Sequence, residues 1–162
     1  MDHASYGVEL LFGTSRMIRK FVPEDKWDEV IRVAIAKHSD FALEGISDER
    51  KLMHARIIRD ADKLDNCRVK LEDDFEAFLG VPAEKVSSSV ITRKVREDAL
   101  AGRSILSSDR VTPMDYWVSY LVYFYDLNYR ASLDIVEEND YVRRLIRRIP
   151  YLDPDTGRVM EE

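Results

Sequence analysis

Residues 53 to 66 read Met-His-Ala-Arg-Ile-Ile-Arg-Asp-Ala-Asp-Lys-Leu-Asp-Asn. The run has no Gly or Pro, and it mixes aliphatic residues with charges at three- and four-residue spacing, which is the pattern of a helix and not of a strand. At about 100° per residue, Ile58, Ala61, Asp62 and Asp65 all fall within about 80° of His54 on the helix surface. Carboxylates on a partly apolar face need partners, because an unpaired buried carboxylate costs several kcal/mol unless it is neutralised, salt-bridged or bound to a metal. Arg56, Arg59, Lys63 and Arg68 are near enough in sequence to pair with some of them. Two readings stay open at this point: a charged helix laced by i,i+3 and i,i+4 ion pairs, or a helix that carries chemistry.

Working outward, the flanking segments also predict helices. Tyr6 to Phe21 carries Val8, Leu11, Phe12, Met17, Ile18 and Phe21 at helical spacing, loosening near Gly13 and Thr14. Pro23 suits the first turn of a second helix whose stripe of Trp27, Val30, Ile31, Ala34 and Ile35 runs to His38. Ser39 to Ser47 reads as a loop, with Ser47 or Asp48 as the cap of the acidic helix. Asp73 to Leu79 predicts a short helix ended by Gly80, and Ala83 to Gly102 predicts one helix weakened by Ser87, Ser88 and Ser89. Thr112-Pro113-Met114-Asp115 is a cap followed by Pro in the first turn. It opens an aromatic helix through Trp117, Tyr120, Leu121, Phe124 and Leu127.

Asn128 to Glu138 and Asp140 to Ile149 continue as helices up to Pro150, and residues 151 to 162 read as a turn-rich, poorly ordered tail. No stretch alternates with period two. The expectation is therefore an all-α chain, a single domain over residues 1 to 150 with the tail beyond it.

Composition narrows function. The 162 residues are 45% hydrophobic and 35% charged, with a formal net charge of −6. A net acidic surface argues against a nucleic-acid coat or a binder of anionic membranes, both of which must collect phosphates. The apolar run from Tyr116 to Tyr125 is about half the length of a membrane span, and the first residues lack a basic region followed by a long apolar stretch. Neither nucleic acid nor membrane is expected as a partner, and a cytoplasmic location is. One cysteine, Cys67, rules out an internal disulfide and fits a reducing compartment. Asp60, Asp62 and Asp65 beside it are expected to raise its thiol pKa, so it reads as a packing residue. Arg143, Arg144, Arg147 and Arg148 form a basic cluster, either a solvated face balanced by Glu137, Glu138 and Asp140 or a grip for an anion.

The three histidines are His3, His38 and His54. Imidazole nitrogen with carboxylate oxygen is the donor mix of a divalent transition metal that activates water. Arg-Asp-Ala-Asp-Lys-Leu-Asp-Asn at 59 to 66 resembles the last motif of the HD-domain metal-dependent phosphohydrolase superfamily, in which Asp62 matches the final aspartate ligand. His3 with Gly7 is similar to the family's short His-x-x-x-Gly helix, and Ala34 to His38 to the helix ending in a later histidine. Asp115 to Trp117 and Phe124 to Asn128 are similar to the C-terminal helices of a bacterial branch. The family's adjacent His-Asp doublet does not occur in this chain.

The resemblance implies an HD-domain-like multi-helix bundle lacking its first helices, with Asp62, His3 and His38 as metal ligands and Asp65 and Asn66 in catalytic or orienting roles. It implies a divalent metal ion such as Mn, Fe, Ni or Mg, and a small phosphorylated substrate such as a nucleotide. The alternative is a catalytically inactive helical module of the same fold that binds a partner or forms a homo-oligomer through apolar surface.

Overall fold

The structure, a computed structural model, describes residues 2–162. It is all-α, with no strand among the described residues. Ten helices follow in order: α1 (His3–Phe12), α2 (Asp28–Lys37), α3 (Glu49–Glu72), α4 (Phe75–Leu79), α5 (Ala83–Ser87), α6 (Arg93–Leu100), α7 (Pro113–Leu121), α8 (Arg130–Glu138), α9 (Tyr141–Ile146) and α10 (Pro154–Glu161). The chain divides into two compact units, one running to Asp62 and the other comprising Lys63–Glu162.

In the first unit α1 packs on α2. Small residues make the contact close: Ala4 and Ala34 are buried, and a Cβ added at Gly7 would stand 3.4 Å from Ile35 Cγ2. Asp2 caps α1 by accepting from the Ser5 amide and hydroxyl, which holds its carboxyl down at about 2. The long helix expected over Tyr6 to Phe21 ends at Phe12, and the chain resumes as a 3-10 turn over Met17–Lys20 after Arg16 enters the left-handed region at φ 43°. Residues 23 to 27 stay outside α2, which begins at Asp28 under an Arg19–Asp28 ion pair. Asp48 Oδ1 accepts from the Lys51 amide at 2.9 Å at the start of α3.

The second unit is built around α7, which packs on α5, α6 and α9. Met114, Trp117 and Val118 of α7 sit in a core with Phe75, Val86, Val95, Leu145, Ile149 and Met160. Four rings run in sequence through this unit, Phe75, Phe78, Tyr120 and Tyr123, with neighbouring centroids 5.1, 6.4 and 5.7 Å apart. Three cations lie over them: Arg148 over Phe75 at 4.6 Å, Lys70 over Phe78 at 4.6 Å and over Tyr120 at 4.4 Å, and Lys63 over Tyr123 at 4.9 Å. Desolvated cation–ring contacts of this kind are worth about 2 kcal/mol each. They account for how α3 can bury two lysines.

Two expectations from sequence are corrected here. Ala83 to Gly102 is not one helix, because the chain leaves helical geometry after Ser87 and re-enters it at Arg93. The reason lies in α7 and α10. Asp115 Oδ1 accepts from the Thr92 amide at 2.8 Å, Thr112 Oγ1 donates to Val90 O at 2.8 Å, and Ser89 Oγ accepts from the Met114 amide at 2.9 Å. The extended backbone of the break thus exchanges its intrahelical bonds for tertiary ones.

Residues 151 to 162, expected as a loose tail, carry α10. Asp153 caps it by accepting from the Thr156 amide at 2.7 Å, and Thr156 Oγ1 accepts from the Ile91 amide at 3.3 Å. Thr156, Val159 and Met160 are buried.

Asp115 is 0% exposed and accepts from the Thr92, Val111 and Thr112 amides, while Thr112 returns a capping-box bond to the Asp115 amide at 3.1 Å. Asp115→Ala orphans three donors and is expected to lower unfolding free energy by about 3 kcal/mol or more in urea denaturation, whereas Thr112→Ala costs about 1. Asp98 supplies the pH test. Hydrogen bonds from Lys94 at 2.6 Å and Arg103 at 2.7 Å hold its carboxyl below the usual range. A depressed folded pKa contributes stability above the unfolded value of about 4, and that stability is lost as pH falls through the folded value. Wild type is therefore expected to lose more stability than Asp98→Asn between about pH 5 and pH 3, read as melting temperature in a pH series.

Candidate functional site

The first unit brings two of the sequence-predicted ligands together. His3 opens α1 and His38 follows α2, and the packing of these helices sets His3 Nε2 2.9 Å from His38 Nε2, with the rings edge-on at a 72° interplanar angle. His38 Nδ1 lies 2.7 Å from Ile35 O. A carbonyl oxygen only accepts, so Nδ1 carries the proton and neutral His38 presents a lone pair at Nε2. His3 Nε2–H therefore donates to it. A backbone carbonyl holding one imidazole nitrogen so that the other is free to ligate is the usual arrangement around metal-binding histidine.

Imidazole nitrogens are donors that divalent transition metals take, and here the two Nε2 atoms are engaged with each other. Two cis nitrogens each about 2.1 Å from a metal stand about 3 Å apart at a right angle, close to the separation found. Among the described residues, no three or more His, Cys, Asp or Glu side chains gather as a group that could hold a metal ion. Asp62, half-buried on α3, is thus not gathered with the two histidines into such a group. His54 is half-buried near the start of α3 and does not join the pair.

Asp65 and Asn66 belong to the second unit. Asp65 is exposed and paired with Arg68 at 2.9 Å, and Arg68 reaches Glu72 at 2.7 Å, which are the i,i+3 and i,i+4 ion pairs of a charged helix. Asn66 Oδ1 accepts from Lys70 Nζ at 3.3 Å. Cys67 donates to Lys63 O, and burial, not the neighbouring aspartates, pushes its thiol up to about 12.

Arg59 was legible in the sequence only as a partner for the aspartates. In the structure it is 4% exposed, and its guanidinium donates to the backbone: to His38 O at 3.1 Å, to Phe41 O at 2.8 Å and to Asp40 O. These carbonyls end α2 and begin the following loop, where no helical amide can reach them. A planar fork of five N–H donors suits several oxygens at once, which an ammonium does not. Arg59 thereby fixes the backbone that carries the His38 imidazole. Nothing in local spacing signals this role, because its acceptors lie 18 to 21 residues away.

Comparison of the chain with protein-family models, curated proteins and solved structures found no match.

Arg59→Met is expected to lower stability by about 2–3 kcal/mol, since buried carbonyls lose charged donors, and Arg59→Lys to restore only part of that. Urea denaturation gives the stability, and ¹⁵N-resolved imidazole spectra of His3 and His38 report whether their hydrogen bond survives.

Proposed function

We propose that this chain is a metal-dependent phosphohydrolase of the HD-domain type, acting on a nucleotide or another small phosphoester, in which His3 and His38 hold a divalent cation. The observation that carries the reading is the imidazole pair, with Nε2 atoms 2.9 Å apart and the His38 tautomer set by Ile35 O. Asp62 is the carboxylate ligand on this reading, supported by the likeness of residues 59 to 66 to the family's last motif. When bound, the cation would polarise the phosphoester and lower the pKa of a water nucleophile.

The protein's own groups have defined tasks. His38, its Nδ1 held by Ile35 O, would offer Nε2. His3 must move its proton from Nε2 to Nδ1 before it can ligate, and its exposed ring permits that exchange with water. Arg59 holds the His38 backbone in register. The orienting roles of Asp65 and Asn66 rest on the family likeness of residues 59 to 66 alone.

The second reading, an inactive helical module that associates through apolar surface, draws on the exposure of Tyr6, Phe21 and Phe41 in the first unit. The two readings differ in metal content. After incubation with manganese and desalting, wild type is expected to retain about one ion per chain, His38→Ala and Asp62→Ala far less, and chelator-sensitive hydrolysis of bis(p-nitrophenyl) phosphate should follow the metal. Metal-free wild-type protein that sediments as an oligomer would favour the second reading.

A further inference from the structure

In the second unit, α9, α10 and the segment between them enclose a cleft of about 570 Å³. That volume lies within the range of about 300–1,000 Å³ usual for small-molecule sites. Its apolar lining includes Ile149, Tyr151 and Met160, and the Ile149 and Met160 side chains also belong to the buried core, so the floor is fixed. Tyr151 is held by its hydroxyl, which donates to Ile146 O at 2.6 Å.

The polar lining is cationic. Arg143 lies on α9 and Arg147 caps its C-terminal end four residues on, and Glu161 is the carboxylate that faces the same space. Arg143 reaches Asp140 only at 3.8 Å, and Arg147 forms no ion pair among the described residues. Two guanidiniums against one carboxylate leave the cleft with a net positive charge. Guanidinium pairs recognise carboxylate, phosphate and sulfonate oxygens through directed N–H bonds.

Gly157 forms part of the wall. It lies inside α10, where glycine costs about 1 kcal/mol relative to alanine. No packing requires it, because a Cβ there would meet nothing nearer than Tyr151 Cβ at 3.8 Å. What the missing side chain does is keep the wall of the cleft open.

We propose that this cleft binds a small organic anion, an apolar or aromatic body bearing a single carboxylate, phosphate or sulfonate head that Arg143 and Arg147 grip. The site is independent of the His3–His38 pair and of any hydrolytic activity. A lipid-like anion and a nucleotide share this chemistry, and the test separates them.

The probe is 8-anilino-1-naphthalenesulfonate, titrated by fluorescence into the full chain beside its uncharged analogue N-phenyl-1-naphthylamine. Saturable binding of both by wild type is expected. Arg143→Gln/Arg147→Gln should weaken the sulfonate about tenfold or more and leave the neutral analogue within about twofold, while Gly157→Leu should weaken both. The arginine pair is exposed, so the double variant keeps the fold and decides the matter even where Gly157→Leu melts. Displacement by octanoate or octyl phosphate would mark a lipid-like ligand, and displacement by AMP a nucleotide. Absence of saturable binding, equal loss of both probes in the arginine variant, or displacement by none of the three competitors would overturn the proposal.

Discussion

The second unit depends on one constraint: the non-helical backbone from Val90 to Thr92 runs beside buried core and must find hydrogen-bond partners outside a helix. Asp115 answers part of it. Its carboxylate, wholly enclosed, has no ion pair among the described residues; it takes three amides, one from the break and two from the start of its own helix. Charge-assisted bonds to fixed amides can hold a buried carboxylate where a lone one would be expelled. Thr112 and Ser89 complete the junction, and Thr156 brings α10 to it through Ile91. Helices α7 and α10, distant from it in sequence, are joined at one short segment.

The same economy governs the first unit. Arg59 is buried against three carbonyls at the end of α2, so a charge on one helix completes the backbone of another. The candidate site inherits its order from this arrangement. His38 is held at both ends, by Ile35 O at its ring and by Arg59 at its carbonyl, and His3 meets it because small residues let α1 approach α2 closely.

The burial pattern of α3 inverts the ordinary amphipathic rule. Arg59, Asp60, Lys63 and Lys70 are buried, while Met53 and Ile57 are exposed. The buried cations are tolerated because each meets a strong electrostatic partner: backbone carbonyls for Arg59, Asp126 at 2.9 Å and the Tyr123 ring for Lys63, and the Phe78 and Tyr120 rings for Lys70. Periodicity alone placed Ile58, Ala61, Asp62 and Asp65 on the face of His54; His54, Ile58 and Asp62 are half-buried, whereas Ala61 and Asp65 are exposed. It had no means of showing which charges lie deepest, since that depends on rings and carbonyls supplied from elsewhere.

Some of this protein is written locally. The absence of period-two alternation determined an all-α chain; Thr112-Pro113-Met114-Asp115 determined where α7 begins, because a cap acts within one turn; Gly80 ended α4 by its left-handed backbone at φ 70°; and the order of His3 and His38 made them candidate partners. Tertiary structure alone decided the rest. It broke the helix expected from Ala83 to Gly102 and folded the last residues into α10, since each outcome rests on bonds to distant side chains that outweigh local propensity. It also divided the chain at Asp62, turned Arg59 and Asp115 into buried anchors of backbone, and opened a cationic cleft where Arg143 and Arg147 had read equally well as a solvated face. Local rules act over a turn of helix, whereas the environment of a charge is set by whatever the fold brings within a few ångströms of it.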